Sequence, residues 1–318
     1  MEKTVKIIYD TDIGGDCDDA GTLAMLHRLC DKGEAELLAV THCCSSPYVA
    51  GCIDAINTYF NRRVPIGINY EKPLNGGGTY AQILCEGFPN EYLSNEYPNR
   101  EKFPDTLTVL RQVLANAEDK SVTLVATGTL CSMARLIASE PDDISPLSGK
   151  QLVAQKINRT VVMGGRFFES WPMPIFPDGN TTGNPVTWEW NIRNSGLSAA
   201  QTVCEEWTGE LIFSSYEIGS YIKTMVDYPR RVGLQSPVAM AYEVHNHGAG
   251  RCSWDQTAML DAVRPNTYWH YHEYGKITVD KELITRWQSD KNGKHTYLLP
   301  KTDYEEVRRV IDDLIDGK

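Results

Sequence analysis

Asp10, Asp12, Asp16, Asp18 and Asp19 lie within ten residues, in the run YDTDIGGDCDDAG near the start of the chain. An apolar stretch, Val5-Lys6-Ile7-Ile8-Tyr9, comes just before them, Gly14 and Gly15 divide them, and a helical pattern starts straight afterwards. Ionised carboxylates do not crowd together unless something positive joins them. A hard divalent cation held by oxygens meets that need. The fold must therefore bring a strand end, a tight turn and a helix start to one acidic point, which is the expected active site.

The 318 residues are enough for one large α/β domain or two ordinary ones. Apolar content of 42% supports a sizeable core. Lys and Arg total 31 against 42 Asp and Glu, and the net charge of −11 argues against nucleic acid or an anionic membrane as the main partner. The 9 cysteines are scattered with no CxxC pair, which reads as reduced thiols in a reducing compartment. The beginning MEKTVKIIYD lacks the apolar core of a signal peptide. No run approaches the ~20 apolar residues of a membrane span. These features together lead us to expect a cytoplasmic protein.

Short β-branched runs alternate with helical patterns. Strands are expected over residues 5–9, 36–42, 64–68, 121–127, 160–163 and 210–214. Helices are expected over 22–30, 51–61, 105–117, from about 130, and over 198–206. Such alternation predicts an α/β fold, a mostly parallel central sheet flanked by helices on both faces. Ligands of such sheets sit beyond the carboxyl ends of the strands. The Asp run, Thr127-Gly128 and Met163-Gly164-Gly165 all fall at such ends. Residues 166–191 lack a clear period and read as a functional insertion. Near the C-terminus, Thr302-Asp303-Tyr304-Glu305 predicts a capping box. An apolar stripe of Val307, Val310, Ile311 and Leu314 follows it. Nothing forces a domain boundary, so residues 1–318 are expected to form a single domain.

Several chemistries compete for the Asp run. An EF-hand loop starting at Asp10 would want an oxygen ligand at position 14 and a Glu at position 21, and both are Gly. A DxD phosphatase has the right start but leaves Asp18-Asp19 unexplained. A third reading has Asp12 and Asp19 hold a cation while Asp18 is free for a substrate hydroxyl. The plain alternative is a solvated acidic turn at a helix N-terminus. Five aspartates against a buried strand count against it.

DTDIGGDCDDA resembles the N-terminal signature of the inosine-uridine-preferring nucleoside hydrolases, usually DTDPGxDDA, with two extra residues before the Asp pair. TLVATGTLCSMA, VVMGG, GNPVTWEWN and SWDQTAML resemble later segments of that family, in the right order over roughly residues 5 to 262. The resemblance implies a Rossmann-like nucleoside hydrolase fold and one Ca²⁺. It implies Asp12, Asp19, the Thr127 carbonyl and Asp255 as ligands of that ion. Asp18, Asn184, Glu189 and Asn191 would contact ribose, and Trp190 takes the place of the family's Phe. The implied reaction is calcium-dependent hydrolysis of the N-glycosidic bond of a ribonucleoside, giving free base and ribose. Carboxylates around the sugar would stabilise its oxocarbenium character. Asp12 is the expected general base for the attacking water. A homodimer or homotetramer is implied by analogy.

The leaving-group side departs from the pattern. Trp254 stands where one branch of the family has a general-acid His. Stacking of the base on Trp254, with Trp171, Trp188 or Trp190, is one expectation; core packing is the other. His245 and His247, in YEVHNHGAGRC, are the expected alternative acids. Cys44 replaces a ribose-contacting Asn, with His42 and Ser45 as the nearest substitutes. The segment after VPIGI lacks the family's His-Gly pair. These losses keep a second reading open: a non-catalytic nucleoside- or sugar-binding protein that retained the metal site.

Overall fold

The strand that carries the Asp run sits in the middle of the sheet. The computed structural model describes residues 4–72, 79–87, 103–168 and 188–318. β1 (Val5–Thr11) lies between β2 (Ala35–His42) and β4 (Val122–Ala126), with β3 (Ile66–Ile68) beyond β2. On the other side come β5 (Ile157–Met163) and β6 (Leu211–Ser214). A two-stranded antiparallel ribbon follows, β7 (Lys223–Val226) with β8 (Ala249–Cys252). Then come β9 (Trp269–Tyr271), β10 (Gly275–Val279), β11 (Thr285–Ser289) and β12 (His295–Pro300). The main sheet runs β3-β2-β1-β4-β5-β6-β12-β10-β11, and β9 pairs with β12. Every pairing from β3 through to β12 is parallel, whereas β9, β10 and β11 add antiparallel edges. The expected architecture is therefore present, with an antiparallel extension that short mixed runs near the C-terminus concealed.

β1 shows why this sheet is buried on both faces. Ile7 and Tyr9 join the core formed with the helices Asp18–Asp31, Val49–Tyr59 and Trp254–Val263. Ile8 points the other way, into a core shared with the helices Thr106–Asn116, Cys131–Ala138 and Leu197–Glu206. The two-residue period of a strand makes that division, and burial on both sides explains the unbroken apolar run.

The helix Asp18–Asp31 between β1 and β2 packs in one helical layer, and the helix Thr106–Asn116 that leads into β4 packs in the other. The strand order therefore reverses between β1 and β4, which opens a crevice at their carboxyl ends. Asp12 follows β1 and Thr127 follows β4, so both stand at the mouth of that crevice.

Two local expectations change. The C-terminal helix Tyr304–Asp316 is capped by Asp303, which accepts from the Glu305 and Glu306 N–H groups. The predicted box at Thr302 gives way because the Asp303 carboxylate sits one residue nearer to the free N–H groups. Of the apolar stripe, Val307, Ile311 and Leu314 are buried and Val310 is half-buried. All nine cysteines are free thiols. Among the described residues, no helix is long and apolar enough to cross a membrane.

Candidate active site

The chain turns as soon as β1 ends. Gly14 has φ of 121°, a value L side chains rarely adopt, whereas Gly15 is exposed and does not share it. The Tyr80 hydroxyl fastens this turn. It accepts from the Gly14 N–H at 2.7 Å and donates to the Asp16 carbonyl at 2.6 Å. The helix Asp18–Asp31 then starts, so Asp18 and Asp19 occupy its first turn, where the helix dipole favours carboxylates. Gly128 lets the end of β4 approach. A Cβ there would stand 2.9 Å from the Asp12 nitrogen and 2.5 Å from Cys43 Sγ.

Asp255 reaches the same point from the start of the helix Trp254–Val263. One carboxylate oxygen each from Asp18, Asp19 and Asp255 lies within 4.8 Å of the others, and all three residues are buried. The Asp255 N–H also donates to Asp18 Oδ2 at 3.4 Å. Asp12 adjoins this trio and is partly exposed. Burial pushes Asp12, Asp18 and Asp255 well above the usual carboxylate range, and their negative neighbours push them further. Burial also raises Asp19, but hydrogen bonds from Thr11 and Asp255 hold it to about 7. Carboxyls so placed can all be ionised together only if a cation joins them. The all-oxygen donor set suits a hard cation.

The other two aspartates serve different ends. Asp10 is buried and accepts from the Thr41 hydroxyl at 2.6 Å. Burial raises it to about 7. Asp16 is paired with basic side chains. Arg251 Nη2 stands 2.5 Å from its Oδ2, and Arg251 Nε is 2.9 Å from each oxygen. His245 Nε2 lies 3.4 Å from Oδ1. Burial would push Asp16 up, but the Arg251 charge and its hydrogen bonds, with His245, hold it below the ordinary value.

Beyond the strand ends, Asn191 Nδ2 donates to the Thr127 carbonyl at 2.7 Å and to the Met163 carbonyl at 3.2 Å. It thereby ties the ends of β4 and β5 together. Glu189 is buried and caps the short helix Trp190–Ser195, accepting from the Asn191, Ile192 and Gly165 N–H groups. Burial raises Glu189 to about 7. Trp190 is 59% exposed, on the surface of that helix. Cys44 is buried beside Thr129, 3.7 Å from it. The His42 ring sits against the Ile13 and Cys44 carbonyls, and Ser45 is buried. Asn184 and Trp171 lie outside the described residues.

The Trp254 ring is engaged by its own neighbours. Tyr216 stacks on it at 5.4 Å, the Arg251 guanidinium lies over it at 4.8 Å, and its N–H donates to the Tyr216 carbonyl at 3.0 Å. Trp188 carries Arg193 over its ring. His247 ends its helix in a left-handed conformation with its side chain 91% exposed, so it does not reach the cluster. Arg251, Tyr216 and Tyr80 were not legible as site residues in the sequence. The one available signal was Arg251, a lone cation three positions before Trp254 in GRCSW.

A crevice at the switch point, floored by carboxylates and edged by Asn191, matches one family throughout. The model of the inosine-uridine preferring nucleoside hydrolases fits residues 7–309. This chain belongs to that family. It is accordingly a glycosyl hydrolase of the ribonucleoside class, and the expected family and fold both hold. Among solved structures, the inosine-uridine preferring nucleoside hydrolase from Bacillus anthracis superposes with a TM-score of 0.69 at 18% identity, covering 99% of this chain and 100% of its own. A purine-preferring ribonucleoside hydrolase from Gardnerella vaginalis gives 0.64 at 16%, covering 98% of each chain. The type III effector protein XopQ, in complex with adenosine diphosphate ribose, gives 0.68 at 12%, covering 100% of this chain and 95% of its own. At such identities the likeness speaks for the fold alone. None of the curated proteins matches the sequence.

Proposed function

We propose that this nucleoside hydrolase cleaves its substrate with Ca²⁺ held by Asp12, Asp19, Asp255 and the Thr127 carbonyl. The convergence of Asp18, Asp19 and Asp255 within 4.8 Å carries this reading. A bound divalent ion would supply charge that lets these carboxyls ionise and would polarise water and the ribose hydroxyls. Asp12, partly exposed beside the trio, accepts the proton of the attacking water. Asp18 accepts a hydrogen bond from a ribose hydroxyl. The ionised cluster stabilises positive charge as it develops on the sugar. Asn191 and Glu189 hold the ends of β4 and β5 around the ring.

On the leaving-group side we favour His245 over His247, because His245 lies against the Asp-rich turn, 3.4 Å from Asp16, whereas the His247 side chain is 91% exposed. Trp254 serves as the wall beneath the base. The substrate is a ribonucleoside, and the protein works as a homo-oligomer in the cytoplasm.

A panel of nucleosides, assayed for free base with and without a calcium chelator, tests this reading. Base release that a chelator stops and Ca²⁺ restores is the expected result. Turnover that is indifferent to the chelator would defeat it. In the same assay Asp12→Ala abolishes turnover, and Asp255→Ala lowers the calcium content of the purified protein.

A further inference from the structure

A cavity lies at the opposite end of the helix Asp18–Asp31 from the carboxylate cluster. Its volume is about 440 Å³, and Arg28, Asp31, Tyr59, Phe60, Asn61 and Arg62 line it. Asp31 ends that helix, and Tyr59 ends the helix Val49–Tyr59. Asp18 and Asp19 stand in its first turn, so its 14 residues put about 20 Å between the cluster and the cavity. The lining carries two guanidiniums against one carboxylate, in a chain whose net charge is −11. Asp31 joins the two: Arg62 Nη2 donates to its Oδ1 at 2.6 Å and Arg28 Nη1 to its Oδ2 at 3.4 Å. The second contact is long for a charge-assisted bond. Arg28 Nε is buried and has no partner among the described residues. Packing nonetheless restrains this guanidinium. It lies over the Phe60 ring at 5.0 Å, and that ring stacks on the buried His27 at 4.9 Å.

We propose that this cavity is a second ligand site, separate from the crevice, and that it takes a sugar phosphate. A guanidinium offers its donors as a planar fork that matches phosphate oxygens. Two forks that share one carboxylate leave a surplus positive charge for the phosphate. The volume falls within the range of about 300–1,000 Å³ found for small-molecule sites, so the ligand has a body beyond the phosphate. Asp31 and Asn61 suit the hydroxyls of a sugar, as acceptor and as donor. The proposal does not depend on the calcium reading above.

Calorimetric titration of the holoenzyme with glucose 6-phosphate, inorganic phosphate and glucose tests it. Glucose 6-phosphate binds saturably, inorganic phosphate binds more weakly, and glucose does not bind. Arg28→Gln and Arg62→Gln each weaken glucose 6-phosphate binding by about tenfold or more. Base release from a nucleoside stays at the wild-type rate in both variants, because neither residue belongs to the crevice. Saturating ribose does not displace glucose 6-phosphate. Absence of saturable binding to the wild type, or equal affinity in the wild type and both Gln variants, overturns the site. Equal affinity for inorganic phosphate and glucose 6-phosphate overturns the sugar part of the assignment. Displacement by ribose would place the ligand in the crevice and overturn the separate site. Should a Gln variant fail to fold, Arg62→Lys decides, since it keeps the charge without the fork; unchanged affinity there overturns the proposal.

Discussion

Arg251 grips Asp16 across 235 positions of sequence, with Nη2 2.5 Å from Oδ2 and Nε 2.9 Å from both carboxylate oxygens. The same guanidinium lies over Trp254 at 4.8 Å. One side chain from the β7–β8 ribbon thus joins the Asp-rich turn to Trp254. Exposed ion pairs stabilise by roughly 1 kcal/mol or less. This pair is half-buried and bidentate, and its main consequence is geometric.

Arg251→Gln is expected to release both Asp16 and Trp254 and to lower kcat/KM by about tenfold. A double-mutant cycle with Asp16→Asn isolates the pair. We expect a coupling of about 1 kcal/mol or more in activation free energy. Strictly additive losses would show that the two residues act separately.

Trp254→Phe retains a flat ring beside Tyr216, and Trp254→Ala removes it. If this ring forms the wall under the leaving base, Phe preserves most of the rate and Ala loses at least tenfold more. Equal losses in the two variants would count against the wall. Gly219 supplies a companion test, since a Cβ there would stand 2.4 Å from the Trp254 Cα. Gly219→Ala displaces the whole helix start and with it Asp255.

Glu189→Ala removes the acceptor of two backbone N–H groups at the start of Trp190–Ser195 and of the Gly165 N–H beyond β5. Loss of a helix cap costs about 1–2 kcal/mol. The expected result is a melting temperature lower by a few degrees. A raised KM should accompany it, because Asn191 then holds the Thr127 carbonyl less firmly. An unchanged KM with lowered stability would confine Glu189 to capping.

His27 gives the protein a defined sensitivity to acid. It is fully buried, its Nε2 lies 2.9 Å from Asn57 Oδ1, and it stacks on Phe60. Burial lowers it to about 3, against the pull of Asn57 in the other direction. The unfolded chain therefore takes up this proton near pH 6.5, well before the folded protein does. Stability from this group is complete above about pH 6.5 and is lost as pH falls toward 3. The loss is on the order of 5 kcal/mol at most. Melting temperature measured from pH 7 to pH 4 should fall less steeply in His27→Gln than in wild type. Parallel slopes would contradict this.

Much of the fold was legible because β1 and its neighbours carry apolar runs buried on both faces. Runs with that density read as parallel strands whatever their partners. β9, β10 and β11 escaped because they are short strands in which polar residues such as Lys276 and Gln288 alternate with apolar ones. The Thr302 box failed for a local reason, since Asp303 could cap in its place. At the site, the Asp run and the SWD triplet were visible as chemistry. Tyr80 and Tyr216 were not, because an isolated tyrosine looks the same in a core as beside an active site.

By itself, the sequence determined that a strand end, a Gly14 turn and a helix start would gather carboxylates at one place. Charge density and backbone conformation are local properties, and they are written in consecutive residues. Only the tertiary structure decided how those carboxylates divide. Asp18 and Asp19 meet Asp255 from 236 residues further on, counting from Asp19. Asp16 is paired with Arg251, and Asp10 accepts from Thr41. Each of those partners comes from another element, so the environment that sets a carboxyl's role exists only once the sheet and its helices have packed.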